Sequence, residues 1–242
     1  MRSLTLVAAT ALAGLAVALA AGASPAKADF IFGNLTPSPA CSSGTPGGVC
    51  GPNETFTSGG DTVIAHGFPG APGTGDGTSN LTLKPVAGNG LSESGLGVQS
   101  NNAATTCTDS DCEIAPPQSV SVTWSAGNLF KDALIGSVQA GEFFHFFVQT
   151  TEGGAFTQLG GTITNTCSFP GGSVAGTDLC RWNAPAGQTR FGVAVQGVTA
   201  GDVLLTEVST VPGPIVGAGL PGLAAACGAL LAFVRRRRQQ IV

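Results

Sequence analysis

Tyrosine is absent from this chain, and 242 residues include only one methionine, two histidines and two tryptophans. Charge is scarce: Asp, Glu, Lys and Arg make up 10% of the residues, against about 25% in an average soluble domain. Few Lys, Glu and Met leave little to build helices with, and 37 Gly and 15 Pro interrupt those that start. A helical bundle and a coiled coil are therefore excluded. A formal net charge of −4, with no basic stripe outside the last few residues, excludes a basic nucleic-acid binder. No G-x-S-x-G elbow is present, and two histidines give little scope for a Ser-His nucleophile.

What is present begins with the two ends. Residues 1–28 read as a secretory signal: Arg2, then an apolar run from Leu4 to Ala23, then Ala26-Lys27-Ala28 as a small-x-small cleavage site, with Asp29 as the new first residue. Residues 211–242 form a second unit. Val211-Pro212-Gly213-Pro214 opens it, Ile215 to Val234 carries no charge, and Arg235, Arg236, Arg237 and Arg238 follow. A 20-residue helix is about 30 Å long, one hydrocarbon core. The arginines belong on the cytoplasmic side, which places residues 29–210 outside the inner membrane. Gly217 to Gly222 spells G-x-G-x-x-G, but it sits inside this apolar segment with no strand before it and no acid after it, so no nucleotide site is expected.

A Pro-x-Pro motif at Pro212, Gly213 and Pro214, an apolar segment and a terminal arginine cluster resemble the PEP-CTERM sorting signal. The string Val211 to Leu223 resembles one subclass of these tails, with Gly213 where Glu is usual. The resemblance implies an exosortase-type processing enzyme as partner, an exopolysaccharide-producing Gram-negative host, and delivery to the cell surface or matrix. A looser resemblance, to the ectodomain of a PEP-CTERM protein group, rests on Asp61 to Phe68, Glu93 to Val98, Glu113-Ile114, Ile135 to Gln139 and Gly141-Glu142. It implies a surface-exposed β domain and no known catalytic residue.

All 14 acidic residues but only four basic ones lie within 29–210, so this body carries a net charge of −10. Such a body repels nucleic acid and anionic polysaccharide unless divalent cations bridge them. Six of its cysteines fall into close pairs, Cys41/Cys50, Cys107/Cys112 and Cys167/Cys180. Local disulfides are expected in an exported chain, and the spacings do not give the C-x-x-C pairs of a zinc site. Strand-like runs alternate with Gly/Pro/Ser/Thr loops: Asp61–Phe68, Asn80–Lys84, Gln118–Trp124, Leu134–Gln139, Glu142–Thr150, Gly161–Asn165, Arg190–Gln196 and Asp202–Val208. In Gln118 to Trp124, apolar Val120, Val122 and Trp124 alternate with Ser119, Ser121 and Thr123, the period of a half-buried strand. Short strands with turn signals between them predict an all-β fold, a single antiparallel β-sandwich of jelly-roll type. Residues 69–79 read as a long surface loop.

Candidate sites are few. Asp109, Asp111 and Glu113 form the densest acidic cluster, braced by Cys107 and Cys112, and could offer oxygens to calcium, although the EF-hand pattern is incomplete. Arg181, Trp182 and Asn183, read as a loop after Cys180, form a candidate glycan contact. Paired carboxylates could serve a glycosidase, with Glu93, Glu113, Glu142 and Glu152 available, but spacing does not bring any two together. His145, among Phe143, Phe144, Phe146 and Phe147, reads as a core or rim histidine, and His66 lies at a strand end. The expected function is that of an exported, membrane-anchored surface or matrix protein without catalysis and without a cofactor. A glycan- or calcium-dependent binding module is the alternative, and a glycoside hydrolase comes after it.

Overall fold

The computed structural model describes residues 28–42, 47–99, 106–107, 112–124, 128–164, 167, 178–184, 191–198 and 202–212. The rest of the signal and tail, including Gly213, Pro214 and Arg235 to Arg238, lies outside this set, as do Asp109 and Asp111. Among the described residues no helix is long and apolar enough to cross a membrane.

Fourteen strands among these residues form two antiparallel sheets. The first runs β12 (Cys180–Asn183), β9 (Asn128–Gly136), β14 (Leu204–Pro212), β6 (Gly95–Val98), β5 (Leu81–Lys84), β2 (Gly47–Val49) and β7 (Thr106–Cys107). β1 (Ala28–Ile31) pairs with β14 on the side it shares with β6. The second sheet runs β11 (Phe156–Thr164), β10 (Phe143–Gln149), β13 (Gly192–Val198), β8 (Ser119–Thr123), β4 (Asp61–Phe68) and β3 (Asn53–Ser58). The arrangement is sandwich-like and all-β, as the alternating patterns predict.

The inner faces meet in one apolar core. From the second sheet it takes Phe56, Val63, Ala65, Val120, Val122, Phe144, Phe146, Val193 and Val195, the inward positions of a period-two pattern. From the first it takes Phe30, Leu81, Leu96, Phe130, Ile135, Leu205 and Val208. An aromatic stack crosses between the sheets: Trp124 on Phe130 at 5.7 Å, Phe130 on Trp182 at 5.2 Å, and Trp182 on Phe146 at 5.0 Å. Disulfides join Cys41 to Cys50 and Cys167 to Cys180. Cys112 is also disulfide-bonded, to a cysteine whose side chain is outside the described residues.

The ends of the domain lie side by side. Ala28 is opposite Thr210 in the β1–β14 ladder. Ser209 Oγ reaches Asp29 Oδ1 at 2.8 Å, and Ser58 Oγ donates to the Asp29 carbonyl at 2.7 Å. β14 continues through Val211 and Pro212, two residues that the sequence pattern assigns to the tail.

Candidate functional site: an outer-face cleft and a buried acidic cluster

The loop 69–79 does not hang free. It folds back over the outer face of the second sheet. Thr78 and Ser79 donate backbone N–H groups to the Gly67 carbonyl, and Ser119 Oγ donates to the Gly70 carbonyl at 2.6 Å. Gly77 fits because it has no side chain: a Cβ there would lie 2.3 Å from the Pro52 carbonyl oxygen. Across the sheet, Gln149 Nε2 holds the β10–β11 turn by donating to the Gly154 carbonyl at 2.6 Å. Between loop and turn lies a cleft of about 490 Å³. Thr62, Ile64, His66, Thr123, Trp124 and Gln149 line it from the sheet, Gly73 to Asp76 from the loop, and Glu152 and Gly153 from the turn.

His66 has a defined tautomer. Gly77 N–H donates to Asn53 Oδ1 at 2.6 Å, which identifies that atom as the oxygen. His66 Nδ1 lies 2.7 Å from the same oxygen, so the neutral ring carries its proton on Nδ1 and keeps a lone pair on Nε2. Burial holds the His66 pKa below its ordinary value, and the Asp76 carboxylate opposes that shift. No hydrogen bond or ion pair engages Asp76 or Glu152 among the described residues. Among the described residues, neither Lys nor Arg contributes to the lining.

A second constellation lies where β5, β6 and β9 approach the 202–204 end of β14. Lys84, 2% exposed, donates to Glu113 Oε1 at 2.7 Å and lies 3.6 Å from Glu93 Oε2. Ser137 Oγ sits 3.2 Å from Glu93 Oε2 and 3.2 Å from Glu113 Oε2, its one proton serving one at a time. Ser137 adopts φ 55°, a left-handed conformation uncommon outside glycine, and its N–H donates to the Ser92 carbonyl. Burial pushes the Glu113 pKa up to about 7, with Glu93 adding to the rise and Lys84 and Ser137 opposing it. Burial raises the Glu142 pKa as well. The Gln139 N–H opposes this rise, and the Asp202 and Glu93 carboxylates add to it.

These positions revise the sequence-derived sites. Glu93 and Glu113 converge, but on the buried Lys84, with Glu113 buried and Glu93 half-buried, while Glu152 belongs to the cleft on the other sheet. Glu113 is buried and bonded to Lys84, so a calcium ion would have to displace that ammonium. Among the described residues no group of three His, Cys, Asp or Glu could hold a metal. Trp182 is not in a loop. It lies on strand β12, 4% exposed and stacked on Phe130 and Phe146, which removes it as a sugar platform. Arg181, facing the other way, pairs with Asp132 at 3.4 Å, and Asn183 is exposed. His145 is a half-buried rim histidine whose Nε2 bonds Thr162 Oγ1 at 3.1 Å. Asn53 and the folded-back loop, which build the cleft, carry no motif.

No family model, curated protein or solved structure matches the chain.

Proposed function

We propose that this is an exported, surface-displayed protein of a bacterium that secretes polysaccharide. In this reading a jelly-roll-like sandwich is freed from its leader at Asp29 and sorted by a PEP-CTERM-like tail. It is held at the inner membrane until an exosortase-type enzyme acts, or anchored there permanently, and it carries out no catalysis. The observation that carries this reading is the pairing of β1 with β14. Leader and tail join the domain at adjacent points, Ala28 opposite Thr210, so the body hangs from one end. Asp29 is held by Ser209 and Ser58, both from the body of the domain. Disulfides that close short loops suit an oxidising compartment.

The test is fractionation of the producing cells with mass spectrometry of the mature chain. A first residue of Asp29 and recovery from the envelope or matrix are expected, with release to the medium when residues 213–242 are deleted. A cytoplasmic protein that retains residues 1–28 overturns the reading.

The cleft favours a second reading, a glycan-binding module. It is prearranged by backbone and side-chain hydrogen bonds on both sides, and its volume falls within the roughly 300–1,000 Å³ of small-molecule sites.

A further inference from the structure

We infer that the cleft between loop 69–79 and the β10–β11 turn recognises an amine-bearing saccharide, binding its hydroxyls and its ammonium group through acceptors on Asp76, Glu152 and His66. This deepens the glycan-binding reading and rests on it.

The argument starts from the balance of donors and acceptors. Asp76 and Glu152 present carboxylate oxygens that no hydrogen bond or ion pair engages among the described residues. His66 presents a lone pair on Nε2, because Asn53 takes its Nδ1 proton. Thr62 and Thr123 add hydroxyls that both donate and accept. Among the described residues, no Lys or Arg lines the cleft. Of the described cations, Lys84 is committed to Glu113, and Lys131 and Arg181 to Asp132, all on the first sheet. The site is therefore rich in acceptors and negative, and its complement is rich in donors and neutral or positive. A sugar supplies hydroxyl donors. An amino group in place of one hydroxyl supplies a charge that two carboxylates attract and that water alone does not satisfy as well.

Shape adds a second constraint. Ile64 stands 42% exposed on the floor of the cleft, one of two large hydrophobic residues so exposed among the described residues. It offers an apolar patch to the C–H face of a sugar ring, while the acceptors lie around it on loop, strand and turn. A uronate, sulfate or phosphate group would meet Asp76, Glu152 and the net charge of −10 carried by the body.

The full chain, purified in detergent, would be titrated calorimetrically with β-linked glucosamine oligomers, their N-acetylated counterparts and uronic-acid oligomers. The amine-bearing oligomers should bind at least roughly tenfold more tightly than the acetylated ones, the scale of one charge-assisted hydrogen bond. The uronates should not bind. Glu152→Gln and Asp76→Asn, at exposed positions outside the core, should each weaken the amine-bearing ligand several-fold without lowering Tm. Asn183→Ala, on the other sheet, should leave the affinity unchanged. Equal affinity for amine and acetylated oligomers, or cleft variants that bind as well as the parent chain, overturns amine recognition and leaves the glycan-binding reading standing. Absence of binding by all three oligomer classes overturns both.

Discussion

Two groups of carboxylates in this molecule have met opposite fates. Glu93, half-buried, and Glu113, buried, turn to Lys84 and Ser137, which engage them within the protein. Asp76 and Glu152 stand at the rim of a cleft, with no hydrogen bond or ion pair among the described residues. Residue type is the same in both places, and the difference is supplied by the backbone. β5 places Lys84 beside the acids of the first group, whereas a glycine-rich loop and a turn carry the acids of the second, with no cation paired to them among the described residues. A buried acid with its own counter-ion fixes a structure, and an open one is available to a ligand.

The sharpest way to break this comparison is to remove the counter-ion. Lys84→Met leaves Glu113 buried beside Glu93 without a cation, a change expected to cost about 3–5 kcal/mol. The double variant Lys84→Met/Glu113→Gln should recover much of that loss, because no uncompensated buried charge remains and Glu93 is partly exposed to water. Denaturant midpoints at pH 8 measure both. A single variant as stable as its parent at that pH would mean that the cluster is not a keystone of the fold.

A smaller effect comes from pH. The folded Glu113 pKa is raised from 4.5 to about 7. A carboxyl raised by folding contributes stability below its unfolded value and loses that contribution as pH rises through its folded value. Stability should therefore decline between about pH 4.5 and pH 7, by at most about 3 kcal/mol from this group. Glu54 and Glu142, raised by burial in the same direction, add to the decline. Glu113→Gln should flatten the profile in this window, leaving the part due to those two residues. An unchanged slope in the variant would show that Glu113 titrates normally and that Lys84, rather than burial, governs its charge.

Both halves of the comparison were unevenly legible in the sequence. Asp61–Phe68 is a strand at the predicted bounds because Val63 and Ala65 alternate with polar Thr62 and His66, while Ile64, its outward apolar residue, lies in the cleft. β3 escapes the same test: Glu54 points inward beside Phe56, and its buried carboxylate breaks the apolar alternation. β11 starts at Phe156, five residues before the expected Gly161, because Gly160 at φ 67° makes an irregularity within the strand that reads as a boundary. β12 is only four residues long, too short for periodicity to show that Trp182 points into the core. Lys84 and Glu113 are 29 positions apart, so spacing offers nothing to join them. Glu113 was instead read with its chain neighbours Asp109 and Asp111. His66 is visible only as an isolated residue at a strand end. Its place opposite the loop depends on Asn53 Oδ1 accepting two hydrogen bonds at once, a tertiary arrangement with no local signature.

The smallest effect concerns the cleft itself and asks whether Asp76 faces His66 closely enough to act as described. Two influences set the imidazole, burial lowering its pKa and the Asp76 carboxylate raising it. A titration followed by nitrogen NMR should show the Nδ1–H tautomer at pH 7 and a midpoint below the ordinary 6.5 of histidine. Asp76→Asn removes the upward influence and leaves burial, so the midpoint should fall further at low salt. It should fall by less at high salt, where an exposed carboxylate is screened. Asn53→Ala should act on the tautomer instead, freeing Nδ1 and allowing a proton on Nε2. If Asp76→Asn leaves the midpoint in place, loop 69–79 stands away from the sheet in solution, and the cleft lacks the wall on which Asp76 is mounted. If the midpoint falls, the open acids differ from the buried ones in the way the fold implies: they act on a neighbour through space and keep their oxygens free for a ligand.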